Sequence, residues 1–107
     1  MSVTFEDFKK LDLRIGKIIS VENHPNADKL YVMKVDIGGE VRQSVAGLKP
    51  YLKPEELLNK SVAVVANLQP AMLRGLESQA MLLAATAGNE VVLLRPEKEI
   101  PPGSKIS

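Results

Sequence analysis

A chain of 107 residues, with 45% hydrophobic and 25% charged residues, is long enough for one globular domain and too short for two of ordinary size. The absence of cysteine excludes disulfides and thiolate metal sites, and a net charge of +1 does not by itself indicate a nucleic-acid partner. The longest apolar stretch, residues 80–85, is far too short to span a membrane. We therefore expect a single domain of residues 1–107 that is cytoplasmic and has no membrane partner.

The chain begins with a helix signal. Thr4 is a favourable N-cap for a helix that starts at Phe5, and Asp7 lies in the first turn, where the helix dipole favours a negative charge. Phe5 and Phe8 fall on the same face of this helix. The pattern predicts a short N-terminal helix that packs through these two rings.

Residues 13–21 alternate between apolar and polar side chains, which predicts the first strand. The face expected to point inward carries Leu13, Ile15, Ile19 and Val21. Residues 23–28 are dense in turn-forming Asn, Asp and Pro and predict a loop. This loop contains His24, the only histidine, which has no second histidine or cysteine with which to share a metal. We therefore expect His24 at the loop surface.

A hairpin and a second helix follow. The β-branched segments 30–37 and 40–46 flank Gly38 and Gly39, a pair typical of a tight hairpin turn, and they predict the second and third strands. Pro54, followed by two glutamates, predicts a short helix over 54–58.

The last part of the chain is again strand-like. Residues 61–66 and 80–86 predict strands that are buried on at least one face, and 91–94 predicts a further strand. The tail, which contains Pro96, Pro101, Pro102 and Gly103, is expected to be ordered only where it packs.

This order of elements is that of an all-β OB-fold, a five-stranded Greek-key barrel. The predicted barrel has a short N-terminal helix, one helix between strands three and four, and a C-terminal extension. Other small β-barrels and α+β folds share the same order of elements. The fold alone would not dictate a function.

Five segments carry a more specific signal. In chain order they are 11–18 (LDLRIGKI), 24–32 (HPNADKLYV), 45–48 (VAGL), 66–70 (ANLQP) and 74–81 (RGLESQAM). Together they resemble the structure-specific tRNA-binding domain. That domain is found at the C-terminus or as the β-subunit of methionyl-tRNA synthetases, in synthetase-associated cofactors, and as free-standing proteins. No single segment is specific, but five in the right order are.

The resemblance implies an OB-fold that docks on the outer corner of tRNA without reading the anticodon. It also implies a homodimer, a role beside an aminoacyl-tRNA synthetase, and no cofactor. Asn67, Arg74, Ser78 and Met81 match the family's binding motif. Arg74 is expected to bind phosphate, Asn67 and Ser78 to hydrogen-bond sugar or base edges, and Met81 to supply an apolar contact.

Each of these residues also has a structural interpretation. Asn67 could stabilise the turn before Pro70, Ser78 could bond neighbouring backbone, and Met81 could belong to the core. The weaker candidates for RNA contact are Arg14, Lys17 and Arg42, which surface exposure alone would also explain.

The sequence departs from the family at one informative place. Many members carry one or two basic residues where this chain has Ala71, Met72 and Leu73, and the usual glycine before the motif's methionine is Ala80. One phosphate contact is therefore expected to be missing, which would weaken binding and lower its salt dependence. Alternatively, exposed Met72 and Leu73 would form an apolar contact patch.

That patch supports a second reading. Residues 5–12, 91–96 and the pair Gln43 and Ser44 resemble the CsaA-like export chaperones, dimeric OB-folds that bind unfolded peptides. A third possibility is an architectural subunit that only dimerises or docks on a synthetase. An enzyme is not expected, because one histidine, no Gly-rich phosphate loop and no metal-ligand cluster leave no catalytic constellation.

Overall fold

The computed structural model describes all 107 residues. Its elements are α1 (Phe5–Lys9), β1 (Leu13–Asn23), β2 (Tyr31–Asp36), β3 (Val41–Ala46), α2 (Pro54–Leu57), β4 (Ser61–Val65), β5 (Ala71–Leu73), β6 (Leu76–Ser78), β7 (Met81–Leu82), β8 (Ala84–Ala87) and β9 (Glu90–Leu93). Five strands form one antiparallel sheet in the order β3-β2-β1-β4-β7, and β5–β6 and β8–β9 are separate hairpins. The predicted all-β barrel with two short helices is confirmed. No helix is long and apolar enough to cross a membrane.

The five-stranded sheet curls around an apolar core. Eleven buried residues form it, with fully buried side chains from β1, β2, β4 and α2 such as Ile18, Val35, Val64 and Leu57. The β2–β3 hairpin that encloses part of this core turns at Gly38 and Gly39, whose φ angles of 96° and 77° confirm the predicted turn. Burial of β-branched and leucine side chains from successive elements therefore holds the barrel together.

The barrel closes where β3 meets the chain after β6. The hydroxyl of Ser44 donates to the carbonyl of Ala80 at 2.9 Å, and the backbone N–H of Gln79 donates to the carbonyl of Gln43 at 2.7 Å. The side chain of Gln79 in turn accepts from the backbone N–H of Gln43 at 3.0 Å. Side-chain hydrogen bonds therefore close the barrel between β3 and the chain after β6, where no regular β-ladder forms. We call this contact the barrel seam.

Strand β1 contains a β-bulge, and one prediction about its faces is wrong. Ile18 pairs with Val35 and Ser20 pairs with Lys34, so Ile19 is the extra residue. Adjacent residues of a strand point to opposite faces, and Ile18 is fully buried whereas Ile19 is 44% exposed. The extra residue at position 19 lets both Ile18, opposite Val35, and Val21, opposite Met33, face the core. The prediction that Ile19 points into the interior is therefore wrong.

Two other expectations about burial are wrong. Helix α1 forms where predicted, and the Thr4 hydroxyl accepts from the N–H of Asp7 at 3.1 Å, but no residue of the helix is buried. Phe5 is 69% exposed and Phe8 40%, so neither ring is buried against the barrel. The predicted strand 80–86 is divided into β7 and β8, and all four residues of β8 are exposed. Both apolar segments are therefore available for contacts outside this chain.

The tail is ordered because it pairs with β1. The N–H of Gly103 donates to the carbonyl of Ile15 at 2.7 Å, and the N–H of Ile106 donates to the carbonyl of Leu13 at 2.9 Å. At this contact Gly103 lies against Gly38 in the β2–β3 turn, and a Cβ on Gly38 would be 2.6 Å from the Cα of Gly103. Only glycine, which has no Cβ, allows the two backbones to come this close.

A Gly38→Ala variant should therefore lose about 3 kcal/mol of unfolding free energy, from an unfavourable positive φ together with the clash against the tail. Gly39→Ala is the matched control, since Gly39 also has a positive φ but nothing lies within 4 Å of its added Cβ. The control should lose about 1 kcal/mol. Urea unfolding of the two variants measures the difference, and equal losses would contradict the tail contact.

Candidate functional site

The β5–β6 hairpin carries the first candidate, Arg74. Leu73 pairs with Leu76, so Arg74 and Gly75 form a two-residue turn with φ angles of 53° and 90°. Such a turn favours Asn-Gly, and an arginine in the left-handed region costs about 1 kcal/mol or more. The sequence pattern predicts no strand between residues 66 and 80. The glycine after Arg74 indicates a turn, but the apolar segments on either side of it are too short to be identified as strands.

The Arg74 guanidinium has no acidic partner. The three ion pairs of the molecule join Lys10 to Asp7, Arg14 to Asp12, and Arg42 to Glu40. Arg74 is exposed and makes one hydrogen bond, from Nη2 to the carbonyl of Asn26 at 3.2 Å. A guanidinium has five N–H donors, so most of them face solvent and can bind an anion such as phosphate.

An apolar groove of about 220 Å³ lies between the hairpin, β3 and β7. Its lining includes Leu68, Ala71, Leu73, Met81 and Leu82, and its polar part includes Ser44, Gln69, Ser78 and Gln79. Met81 is 46% exposed and Leu68 is 43% exposed, so neither belongs to the sealed core. Met72 on β5 is 64% exposed, whereas Leu73 is only half-buried in the wall of the groove. The expected apolar patch therefore includes Met72 and the groove lining.

Ser78 takes part in the barrel seam. Its hydroxyl accepts from the backbone N–H of Val45 at 3.0 Å and donates to the carbonyl of Ala80 at 3.3 Å. The side chain is half-buried and lines the groove. Ser78 therefore has a structural role and also lines the groove. Its contact with RNA stays a prediction.

The side chain of Asn67 links the end of β4 to the segment just before β1. Its side-chain oxygen accepts from the N–H of Asp12 at 2.7 Å, and its amide nitrogen donates to the carbonyl of Lys10 at 2.7 Å. This amide stabilises the segment before β1, and not only the turn before Pro70. The side chain is nevertheless exposed, so its predicted contact with RNA remains a proposal.

The three weaker candidates lie in different surroundings. Arg42 is paired with Glu40 at 2.6 Å and also donates to the carbonyl of Ala66 at 2.8 Å, near the base of the hairpin. Arg14 is paired with Asp12 and donates to the carbonyl of Ile37 at 3.2 Å. Lys17 is half-buried and lines a hollow with Glu99 and the tail. Of the predicted cations, only Arg74 is both exposed and without an ion pair.

His24 is the residue whose surroundings differ most from expectation. It is 5% exposed, so the predicted surface position is wrong. Its Nδ1 accepts from the N–H of Asn26 at 2.9 Å, and its Nε2 lies 3.1 Å from the carbonyl of Leu73. Both ring nitrogens are therefore occupied, and no group of three or more metal-ligating side chains occurs in the structure.

The Asp12–Arg14 pair makes stability depend on pH. The hydrogen bond from Arg14 holds the pKa of Asp12 below its ordinary value. A lowered folded pKa contributes stability that is complete above the unfolded carboxyl pKa of about 4 and is lost as the pH falls through the folded value. We expect this pair to contribute less than about 1 kcal/mol to the free energy of unfolding, because it is partly exposed. Urea unfolding at neutral and acid pH measures how much unfolding free energy is lost on acidification. This loss should be smaller in Asp12→Asn than in the unsubstituted protein. Glu97→Gln, in the exposed tail, should retain the full loss.

Comparisons with known proteins agree with this geometry. A family model described as "Putative tRNA binding domain" matches residues 13–105. The chain is 65% identical over 104 residues to the methionine--tRNA ligase of Pyrococcus furiosus, which covers 97% of this chain and 14% of that enzyme. The chain thus spans about one seventh of the length of that relative.

Two solved structures share the whole fold. The methionyl-tRNA synthetase (MetRS) related protein from Pyrococcus horikoshii superposes with a TM-score of 0.93 and 31% identity, covering 100% of this chain and 99% of that one. The chaperone CsaA from Bacillus anthracis superposes with a TM-score of 0.89 and 34% identity, covering 100% of both chains. The chain therefore belongs to the tRNA-binding domain family and is homologous to a segment of the methionine--tRNA ligases.

Proposed function

We propose that this chain, residues 1–107, acts as one unit that binds the folded shape of tRNA and assists a methionine--tRNA ligase in the cytoplasm. The proposed interface consists of Arg74 at the hairpin tip, the groove behind it with Ser78 and Met81, and Asn67 and Arg42 near its base. Arg14 and Lys17 would contribute at most long-range attraction for the phosphates, because Arg14 is paired with Asp12 and Lys17 is half-buried beside the tail.

The observation that carries this proposal is the unpaired Arg74 in its left-handed turn. The fold keeps a charged side chain in a backbone conformation that asparagine or glycine would adopt at lower cost. Unfavourable backbone conformations of this kind cluster at functional sites. A planar, always-charged guanidinium suits phosphate recognition, and the nearby groove offers apolar contact for an exposed base.

The proposed role is binding without catalysis. The interface contains a guanidinium, amides, a hydroxyl and a thioether, none of which is a general base or an activated nucleophile. His24, the one imidazole, is buried and has both nitrogens hydrogen-bonded. With Ala71, Met72 and Leu73 on β5 in place of basic residues, the interface holds few cations, and we expect moderate affinity.

The test is fluorescence anisotropy of the purified protein with labelled tRNA, at two salt concentrations. An unstructured RNA of equal length is the control. A preference for tRNA that weakens with salt supports the proposal, because phosphate contacts release counterions. Equal affinity for both RNAs would contradict shape recognition.

The groove favours a second candidate function, a CsaA-like chaperone activity on unfolded peptides. Its lining is mainly apolar, and exposed Met72 and Met81 resemble the adaptable methionine surfaces that accept varied peptides. The same anisotropy experiment with a labelled unfolded peptide separates the two functions. Peptide binding that is insensitive to salt, without binding of tRNA, would favour the chaperone.

We also propose a homodimer, which the exposed β8–β9 hairpin supports. The four residues of β8 are exposed, Val92 on β9 is 50% exposed, and the hairpin is a two-stranded sheet with unpaired outer edges. Strand β8 carries no charged side chain, and an exposed edge of this kind favours pairing with another strand. A second copy of the chain would cover both the edge and the apolar side chains.

The dimer predicts the effect of a charge on the hairpin. Val92→Asp should convert a dimer into a folded monomer in sedimentation equilibrium, because it places a carboxylate in the apolar contact. Met72→Asp, a similar change on the exposed face of β5, should remain dimeric. A monomeric unsubstituted protein, or a dimeric Val92→Asp variant, would contradict this interface.

A further inference from the structure

Two hydrogen bonds join the β1–β2 loop to the tip of the β5–β6 hairpin, and a third bond within the loop completes a set of contacts among four residues. Asn26 N–H donates to Nδ1 of His24 at 2.9 Å, and Nε2 of His24 lies 3.1 Å from the carbonyl of Leu73. Arg74, the next residue, donates from Nη2 back to the carbonyl of Asn26 at 3.2 Å. Because Leu73 and Arg74 are adjacent in the chain, the three bonds form a closed ring of contacts. This ring includes the arginine of the proposed interface.

The pattern of partners fixes the roles of the two ring nitrogens. Because Nδ1 receives a proton donor from Asn26, it must be unprotonated, and the carbonyl of Leu73 requires a donor at Nε2. A neutral ring with its proton on Nε2 is the form that satisfies both bonds. His24 is only 5% exposed, so these bonds are shielded from competition by water.

The hairpin tip has no other polar attachment to the barrel. Strands β5 and β6 form their own two-stranded sheet, and the bonds from Gln43 and Val45 reach Glu77, Ser78 and Gln79 at the base of the hairpin. At the tip, the side-chain contacts are those of His24 with Leu73 and of Arg74 with Asn26. Without them the Arg74–Gly75 turn would be held by the short hairpin alone.

We propose that His24 is a positioning residue for RNA binding: its bond to Leu73 clamps the hairpin tip onto the β1–β2 loop and holds Arg74 ready for phosphate. This inference rests on the proposed function, because it requires Arg74 to contact RNA. A cation held in its binding geometry before contact loses less conformational entropy on binding. The arrangement also explains why a loop histidine that binds no metal is buried between two elements of the interface.

Two substitutions at position 24 separate the clamp from the local loop contact. In His24→Gln the amide reaches about as far as Nε2 and can still donate to Leu73, whereas in His24→Asn the amide reaches only about as far as Nδ1 and the loop. We expect His24→Asn to weaken tRNA binding about threefold, as the fraction of molecules with a positioned Arg74 falls. His24→Gln should bind nearly as well as the unsubstituted protein.

The deciding measurement is a double-mutant cycle with Arg74→Asn, scored by anisotropy with labelled tRNA. His24→Asn should add no further loss in the Arg74→Asn background, because the residue that it positions is gone. An undiminished loss in that background would overturn the inference and show a general structural effect. If Arg74→Asn weakens binding and His24→Asn does not, the clamp is wrong and the proposed function stands. If the unsubstituted protein does not prefer tRNA, or Arg74→Asn binds normally, the proposed interface itself fails.

A second measurement needs no substitution. His24 is the only histidine, so its imidazole gives the only such signals in a long-range proton–nitrogen spectrum of the protein. The clamp requires a neutral ring with its proton on Nε2 and slow exchange of that proton with water. A ring protonated on Nδ1, or a rapidly exchanging Nε2 proton, would overturn the clamp.

Discussion

Ile18→Asp should leave the chain unfolded, whereas Ile19→Asp should give a folded, cooperatively melting protein. Ile18 is fully buried in the core, and an aspartate there would place a carboxylate in a cluster whose one polar side chain, Tyr31, already donates its hydroxyl to the carbonyl of Leu52. An unpaired buried charge costs several kcal/mol, a large part of the 5–15 kcal/mol that holds a domain of this size together. Ile19 is 44% exposed, and a carboxylate there remains hydrated.

Circular dichroism and thermal melting of the two variants measure this difference directly. The pair is a stringent test of the face assignment, because the two residues are identical and adjacent and differ only in the face of β1 that they occupy. We expect Ile19→Asp to lose no more than about 1 kcal/mol. A folded Ile18→Asp variant or an unfolded Ile19→Asp variant would show that the two faces of β1 are assigned wrongly at this position.

Arg74→Asn should weaken tRNA binding about tenfold and leave the melting temperature unchanged or slightly higher. The loss corresponds to one charge-assisted contact with phosphate, and the salt dependence of binding should fall by about one ion. Asparagine accepts positive φ more readily than arginine does, so the hairpin turn is retained while the cation is removed. This makes Arg74→Asn a sharper test than alanine, which would strain the turn.

The matched control for Arg74 is Lys98→Gln, which removes one positive charge from the exposed tail. Anisotropy titrations at several salt concentrations, with thermal melts of each protein, distinguish a local contact from a change in net charge. Lys98→Gln should retain tRNA affinity within about twofold, because a distant exposed charge is largely screened. Equal losses in both variants would indicate non-specific attraction, and no loss in Arg74→Asn would exclude Arg74 from the interface.

Regular features of the fold could be predicted from the sequence because local chemistry determines them. Gly38 and Gly39 supply the positive φ angles of a hairpin, Pro54 starts α2, and Thr4 caps α1. Each of these signals acts within a few residues, so no knowledge of the tertiary structure is needed.

The missed features depend on contacts between distant segments. The bulge at Ile19 is set by the register with β2, and periodicity alone gives no sign of it. The burial of His24 depends on the carbonyl of Leu73, 49 residues further along the chain. Strands β5 and β6 have only three residues each, too few for an alternating pattern to identify, and Arg74 occupies a turn position that ordinary propensities assign to asparagine. For the interface, the motif identified the candidate residues, but only the structure distinguishes unpaired Arg74 from Arg14 and Arg42, which are paired with acids.

The most direct test of the proposed interface is amide chemical-shift mapping of the labelled protein during titration with tRNA. We predict that the largest changes cluster at residues 71–81 and in the loop 24–29, with smaller changes near Asn67 and Arg42. The β8–β9 hairpin and helix α1 should change little. A map centred on β8–β9 or α1, or no cluster of shifts around Arg74, would contradict the account.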